Sequence, residues 1–168
     1  LPIFVDSGLK LAHIAKLVRG ERYRSELLNT IMFGAYNKRI KDNRTANDWL
    51  TKDTKIVDEY LSDPKCSYKF TANAYIGFLN VIKYDIDKKN IAKTPDKLPV
   101  LFASGLEDPV GDYGKGVKKA FKMYTKYVDN VELYLYEDDR HELHSETDRE
   151  DIFSDLYEWI EENVRSEE

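Results

Sequence analysis

The chain opens on an apolar run, Leu1-Pro2-Ile3-Phe4-Val5, that stops at Asp6-Ser7-Gly8. Its β-branched and aromatic members predict a short buried strand. From about Leu9 to Asp96 the apolar positions recur at helical spacing. Leu9, Leu11, Ile14, Leu17 and Val18 make one face, ended by Gly20. Leu27, Leu28, Ile31 and Met32 make a second, interrupted at Gly34. A polar connection, Asn43 to Asp48, precedes Trp49. Ile56, Val57, Tyr60 and Leu61 make a third face, broken near Asp63-Pro64, and Tyr75, Ile76, Phe78, Leu79 and Ile82 a fourth. Asn90 to Lys97 reads as a linker, with Pro95 and Pro99 blocking helix.

Beyond the linker the pattern becomes strand, helix, strand, helix. Val100 to Ala103 is a buried apolar run that turns at Ser104-Gly105, and Val131 to Tyr136 is a second run. Val117, Ala120, Phe121, Tyr124 and Val128 mark the helix between them. Ile152, Phe153, Leu156, Ile160 and Val164 mark the last helix, with Thr147 and Glu150 spaced as a capping box. Strands alternating with helices imply parallel pairing. With the opening run this gives a thin α/β sheet of about three parallel strands, flanked by helices 112–128 and 148–164 and carrying a long helical insertion. One sheet edge would stay open, a site for self-association or strand addition.

Composition narrows the function classes. The 168 residues suffice for one sizeable core, and 34% of them are charged. A net charge of -5 and a pI near 5.3 argue against a nucleic-acid footprint, which needs a basic face. No apolar run is long enough to span a membrane. The opening residues do not read as a signal peptide. Cys66 is the single cysteine, so no internal disulfide can form, and it reads as a small buried apolar residue. A cytoplasmic setting is the expectation.

The candidate chemistry lies where the two later strands end. Asp108 follows one strand and His141 the next, the edge at which open α/β sheets collect catalytic side chains. An acid after one strand and a histidine after another is the acid–base half of a nucleophile triad. From spacing alone the plainer readings lead, Asp108 as an aspartate bonding its own turn and His141 as a surface histidine among Glu137, Asp138, Asp139 and Glu142. The nucleophilic half, a serine in Gly-x-Ser-x-Gly, is absent from the sequence. Ser7 and Ser104 precede glycines but lack that setting, and they read as turn hydroxyls. His141-Glu142-Leu143-His144 spaces its histidines three apart, not the four of a zincin helix, so no metal is expected. His144 reads as a loop residue and His13 as structural. No cofactor is expected.

Several segments resemble the carboxyl-terminal half of α/β-hydrolases of the monoacylglycerol lipase and lysophospholipase type (serine aminopeptidase S33, hydrolase-4). Phe33 to Lys38, Asn43 to Leu50, and Asp63-Pro64-Lys65-Cys66 leading to Phe70-Thr71-Ala72 look like the family's cap. Asn90 to Lys93 and Leu98 to Phe102 look like the return to its sheet. Gly105 to Gly111, Gly114 to Val117 and Arg140-His141-Glu142 are the most specific pieces. The resemblance implies a partial α/β-hydrolase fold holding family strands six to eight. Residues 1–8 and 96–168 would belong to the core, and 9–95 would form a helical cap or lid. It implies Asp108 as triad acid and His141 as general base. It also implies an acyl pocket lined by Met32, Phe33, Tyr36, Phe70, Tyr75 and Phe78.

The family's serine elbow, oxyanion loop and first five strands precede the point where this sequence starts. The expectation is therefore a fragment whose parent cleaves a lipid-like ester, a monoacylglycerol or a lysophospholipid. The alternative is a non-catalytic piece or split-protein half that acts only by association, through a missing amino-terminal half or the open sheet edge.

Overall fold

The structure, a computed structural model, describes residues 2–41, 43–66 and 68–165. Leu1, and the side chains of Pro2, Ile3, Val164 and Arg165, lie outside those described. The chain divides into two compact units. Residues 1–35 and 63–94 form a helical unit, and residues 36–62 and 95–168 form a sheet unit. Thus residues 1–8 cluster with the helices, and residues 36–62 with the sheet.

The helical unit contains α1 (Pro2–Arg19), α2 (Glu26–Phe33), α4 (Ala72–Asp85) and α5 (Lys88–Ile91); α3 (Thr54–Ser62) belongs to the sheet unit. The opening run is therefore not a strand: its described residues form the first turn of α1. The buried positions explain why. Val5, Gly8 and Ala12 are buried and Leu9 and Ala15 half-buried, a spacing of three and four that continues through the expected turn at Gly8. Gly8 is a packing residue, since a Cβ there would lie 3.1 Å from Leu79 Cδ1 of α4.

The buried face of α1 is thus made of small side chains. Leu11, Ile14, Leu17 and Val18, expected to face the core, are exposed, Leu17 by 86% and Val18 by 70%. Leu28 and Met32 of α2 and Tyr75 and Leu79 of α4 complete a core with Val5 and Ala12. Ser25 caps α2 by accepting from Leu28 N at 3.2 Å, and Thr71 caps α4 by accepting from Ala74 N at 3.1 Å.

The sheet unit holds two parallel strands among the described residues, β1 (Val100–Gly105) and β2 (Val131–Tyr136). Val100 lies opposite Val131 and Gly105 opposite Tyr136, so both strands end at the same level. The helix joining them, α6 (Lys115–Tyr124), packs on both, with Phe102 and Tyr124 edge to face at 5.2 Å. The last helix, α7 (Arg149–Arg165), buries Ile152 and ties to β2 through Trp159 Nε1, which donates to Glu132 Oε1 at 2.8 Å. A short 3-10 helix, Tyr36–Arg39, opens the unit, and another, Leu143–Ser145, precedes α7. Among the described residues no helix is long and apolar enough to cross a membrane.

Candidate active site

The equal ending of β1 and β2 brings two loops side by side. Leu106 N donates to the Tyr136 carbonyl and Glu107 N to the Asp139 carbonyl, both at 2.8 Å. This contact needs glycine at 105: a Cβ there would meet the carbonyl oxygens of Asp139 at 2.1 Å and Arg140 at 2.4 Å. Asp108 and His141, each a few residues past its strand, then meet. His141 Nδ1 lies 3.2 Å from Asp108 Oδ1, within hydrogen-bond reach. Asp108 is nearly buried, its side chain 8% exposed, while the imidazole is 37% exposed.

The carboxylate of Asp108 is fixed by its own turn. Oδ1 accepts from Val110 N at 2.8 Å and Oδ2 from Gly111 N at 3.1 Å. The Asp108 carbonyl accepts from Tyr113 N at 2.8 Å. The turn then runs through three positive-φ residues, Asp112 (50°), Tyr113 (53°) and Gly114 (76°), before α6 begins. Two of the three carry side chains in a conformation that L-residues resist. The Tyr113 ring lies under the Arg39 guanidinium at 4.0 Å. Burial pushes the Tyr113 hydroxyl up; Arg39 opposes the shift and Asp108 adds to it.

The imidazole is fixed by the 49–52 segment. Trp49 packs on His141 at 5.2 Å between ring centroids, and Tyr36 packs edge-on against Trp49 at 4.8 Å. Burial pushes the Tyr36 hydroxyl up, and the Asp108 carboxylate raises it further. Main-chain bonds run alongside: Glu142 N donates to the Leu50 carbonyl at 2.7 Å and His141 N to the Trp49 carbonyl at 3.4 Å. One Arg140 guanidinium nitrogen donates to the carbonyls of Asp48 at 2.8 Å and Thr51 at 3.0 Å. Asp48 in turn accepts from the Thr45 hydroxyl at 2.6 Å, Thr45 N at 3.0 Å and Arg44 N. Burial alone would raise the Asp48 carboxyl, but these bonds hold it below the usual range.

The acidic loop around His141 is sorted by burial. Glu137 and Asp138 are exposed, and Glu142 accepts from the Ser145 hydroxyl at 3.1 Å. Asp139 is fully buried and ion-paired with Lys52, whose ammonium also lies 3.3 Å from Asp148. Burial pushes the Asp139 carboxyl up against the pull of Lys52. Burial opposes the charge on Lys52, yet Asp139 and Asp148 raise its pKa. Glu146, also fully buried, accepts from the amides of Arg140 and Lys52 and from the Thr51 hydroxyl. Its carboxyl is nevertheless pushed up by burial.

Five of the other six expected site residues lie in the helical unit. Met32 and Tyr75 are buried in the helical core, and Phe33 and Phe70 pack against it. Tyr75 donates to Asn29 Oδ1 at 3.2 Å, its hydroxyl pushed up to about 12 by burial and then by Glu26. Phe78 is exposed, 6.2 Å from Phe70. Tyr36 alone of the six belongs to the sheet unit, beside the acid–base pair.

Ser7 lies exposed within α1, not at a strand end. Ser104 is buried and donates to the Gly105 carbonyl at 3.2 Å. Cys66 is half-buried, and His13 and His144 are exposed. Among the described residues no three His, Cys, Asp or Glu side chains gather as metal ligands would. Thr51 and Glu146 have no role in the sequence reading, and Trp49, there one of the cap aromatics of the acyl pocket, instead packs on His141. Glu146 looks like its acidic neighbours, and only burial distinguishes it.

The family model described as "Serine aminopeptidase, S33" matches residues 10–148. The chain has no significant match among curated proteins. Among solved structures, a highly thermostable carboxyl esterase from Bacillus coagulans, crystallised with glycerol, superposes with a TM-score of 0.82 at 23% identity. That match covers 96% of this chain and 52% of the esterase. A lipase in an open form gives 0.81 at 26% identity, over 95% of this chain and 53% of its own. A soluble variant of the monoglyceride lipase of Saccharomyces cerevisiae, bound to a substrate analogue, gives 0.60 at 20% identity, over 94% and 49%. The chain thus spans about half the length of these structures and has a partial α/β-hydrolase fold.

Proposed function

We propose, for a chain that belongs to the serine aminopeptidase S33 family, that Asp108 and His141 are the acid and base of a serine hydrolase of carboxylic esters. The observation that carries this is the 3.2 Å approach of His141 Nδ1 to Asp108 Oδ1 at the common end of two parallel strands. Asp108 accepts the Nδ1 proton and so presents a bare Nε2. That nitrogen takes the proton of a serine hydroxyl as the oxygen attacks the ester carbonyl, and returns it to the leaving alkoxide. The buried carboxylate stabilises the imidazolium formed between the two steps.

The serine and the amides that stabilise the oxyanion are supplied by polypeptide other than these 168 residues. No Gly-x-Ser-x-Gly occurs in the sequence, and Ser104, next to the pair, is buried with its hydroxyl on a backbone carbonyl. The chain alone is then inactive, because losing a triad serine costs about a millionfold where it has been measured. The substrate is a lipid-like ester, a monoacylglycerol or lysophospholipid. Support comes from the similar structures, which are a carboxyl esterase, a lipase and a monoglyceride lipase.

Fluorophosphonate labelling tests this. The isolated chain should stay unlabelled, and a longer product carrying preceding coding sequence should label at a serine outside these residues. Labelling of the isolated chain at any of its own serines overturns the assignment. A second reading, association through the sheet edge, is favoured by β1 having a strand on one side only among the described residues. Concentration-dependent light scattering, abolished by Ala103→Pro, whose amide lies on the side of β1 away from β2, is its expected signature.

A further inference from the structure

We propose that Glu146 is a positioning residue for His141, resting on the assignment of Asp108 and His141 as an acid–base pair. Glu146 touches neither of them. Its two carboxylate oxygens point to the two segments between which the imidazole is held. Oε1 accepts from Arg140 N, the amide just before His141, at 2.7 Å. Oε2 accepts from Lys52 N at 3.0 Å and from the Thr51 hydroxyl at 2.9 Å. The Thr51 proton is shared with the Ser145 carbonyl at 2.8 Å. One carboxylate therefore clamps the loop that carries His141 to the segment that carries its stacking partner, Trp49.

The chemistry of the clamp is specific to a carboxylate of this length. The two main-chain amides, one on each oxygen, can only donate, so both oxygens must accept. Glutamine would turn an amide N–H toward one of the two segments, and that side of the clamp would open. Aspartate is one methylene short of bridging both. Burial makes the charge a costly way to gain stability, since a buried ion is poorly repaid by its partners. Placement of the imidazole is the gain that the arrangement delivers, because the Nδ1–Asp108 approach depends on where the loop sits.

The experiment is nitrogen-15 NMR of the whole chain labelled at histidine, at a pH where imidazole is neutral, reading the Nδ1–H share of each ring. Wild-type His141 should be mostly the Nδ1–H tautomer, while exposed His13 and His144 show the free mixture, in which Nε2–H predominates. E146Q should cut the Nδ1–H share of His141 at least twofold and leave the other two unchanged. T51V, which removes one donor at the far side of the clamp, should shift it less and in the same direction. V128A, a buried substitution elsewhere in the unit, should lower the melting temperature without moving the tautomer.

A folded E146Q with the wild-type tautomer overturns the clamp. If E146Q does not fold, an unmoved T51V does so equally. A wild-type His141 already at the free mixture overturns the acid–base pair itself, and the clamp with it. A movement in V128A as large as that in E146Q overturns the positioning role in favour of a merely structural one.

Discussion

The interiors of the two units are of opposite kinds. In the helical unit the core is apolar: Val5, Ala12, Leu28, Met32, Tyr75 and Leu79. Among the described residues, Ser25 is its single buried polar or charged side chain outside that cluster. Buried polarity is concentrated in the sheet unit, in Asp48, Thr51, Ser104, Asp108, Asp139, Ser145 and Glu146. Charge divides the same way. The helical unit carries 11 basic and 6 acidic residues, a net +5, and the sheet unit 15 and 25, a net -10. An apolar core needs volume and tolerates imprecise contacts. A buried polar network works only if each donor meets its acceptor. The candidate chemistry lies in the unit whose interior is specified by direction as well as by size.

Substitutions can break that contrast. Leu79→Ala should cost the most, about 3–4 kcal/mol in urea denaturation, because it opens a cavity in a core with little else to hold it. It should leave the His141 tautomer alone. Gly105→Ala should cost about 3 kcal/mol, as its Cβ forces the Asp139 and Arg140 carbonyls aside, and it should also collapse the His141 signature.

Asp48→Asn should cost about 1–3 kcal/mol at neutral pH, read from the same denaturation curves. Asp48 is held below the ordinary carboxylate range, so its contribution is complete above about pH 4 and fades as the pH falls through the lower folded value. Glu146 is held above that range, so its ionisation costs stability as the pH rises from about 4 through the raised folded value. Stability curves of D48N and E146Q should therefore depart from the wild type with opposite slopes. Tyr75→Phe should cost about 1 kcal/mol, the loss of one bond to Asn29 in an otherwise apolar interior. Arg44→Ala, which removes an exposed pair with Asp58, should not move the denaturation midpoint measurably.

The legible parts of the sequence were those in which large apolar residues mark the buried side. β1 and β2 read directly from Val100 to Ala103 and Val131 to Tyr136, and with them the common edge that carries Asp108 and His141. α1 is hidden from the pattern because much of its buried side is Gly8, Ala12 and Ala15, residues that carry little hydrophobic signal. The larger residues Leu11, Ile14, Leu17 and Val18 suggested the wrong face, and Gly8 suggested a terminator where it admits Leu79. The site was legible as a pair and not as a network. Trp49, Arg140 and Glu146 act through contacts between segments some 90 residues apart, such as Arg140 to Asp48, |i−j| of 92, and periodicity carries no trace of those.

The turn after Asp108 holds Asp112 and Tyr113 at positive φ ahead of Gly114. Glycine at either of the first two would relieve conformational tension of about 1 kcal/mol. At 113 the same exchange would strip the aromatic surface from beneath Arg39. A stability screen should therefore reward glycine at 112, where no ring contact is lost, and not at 113.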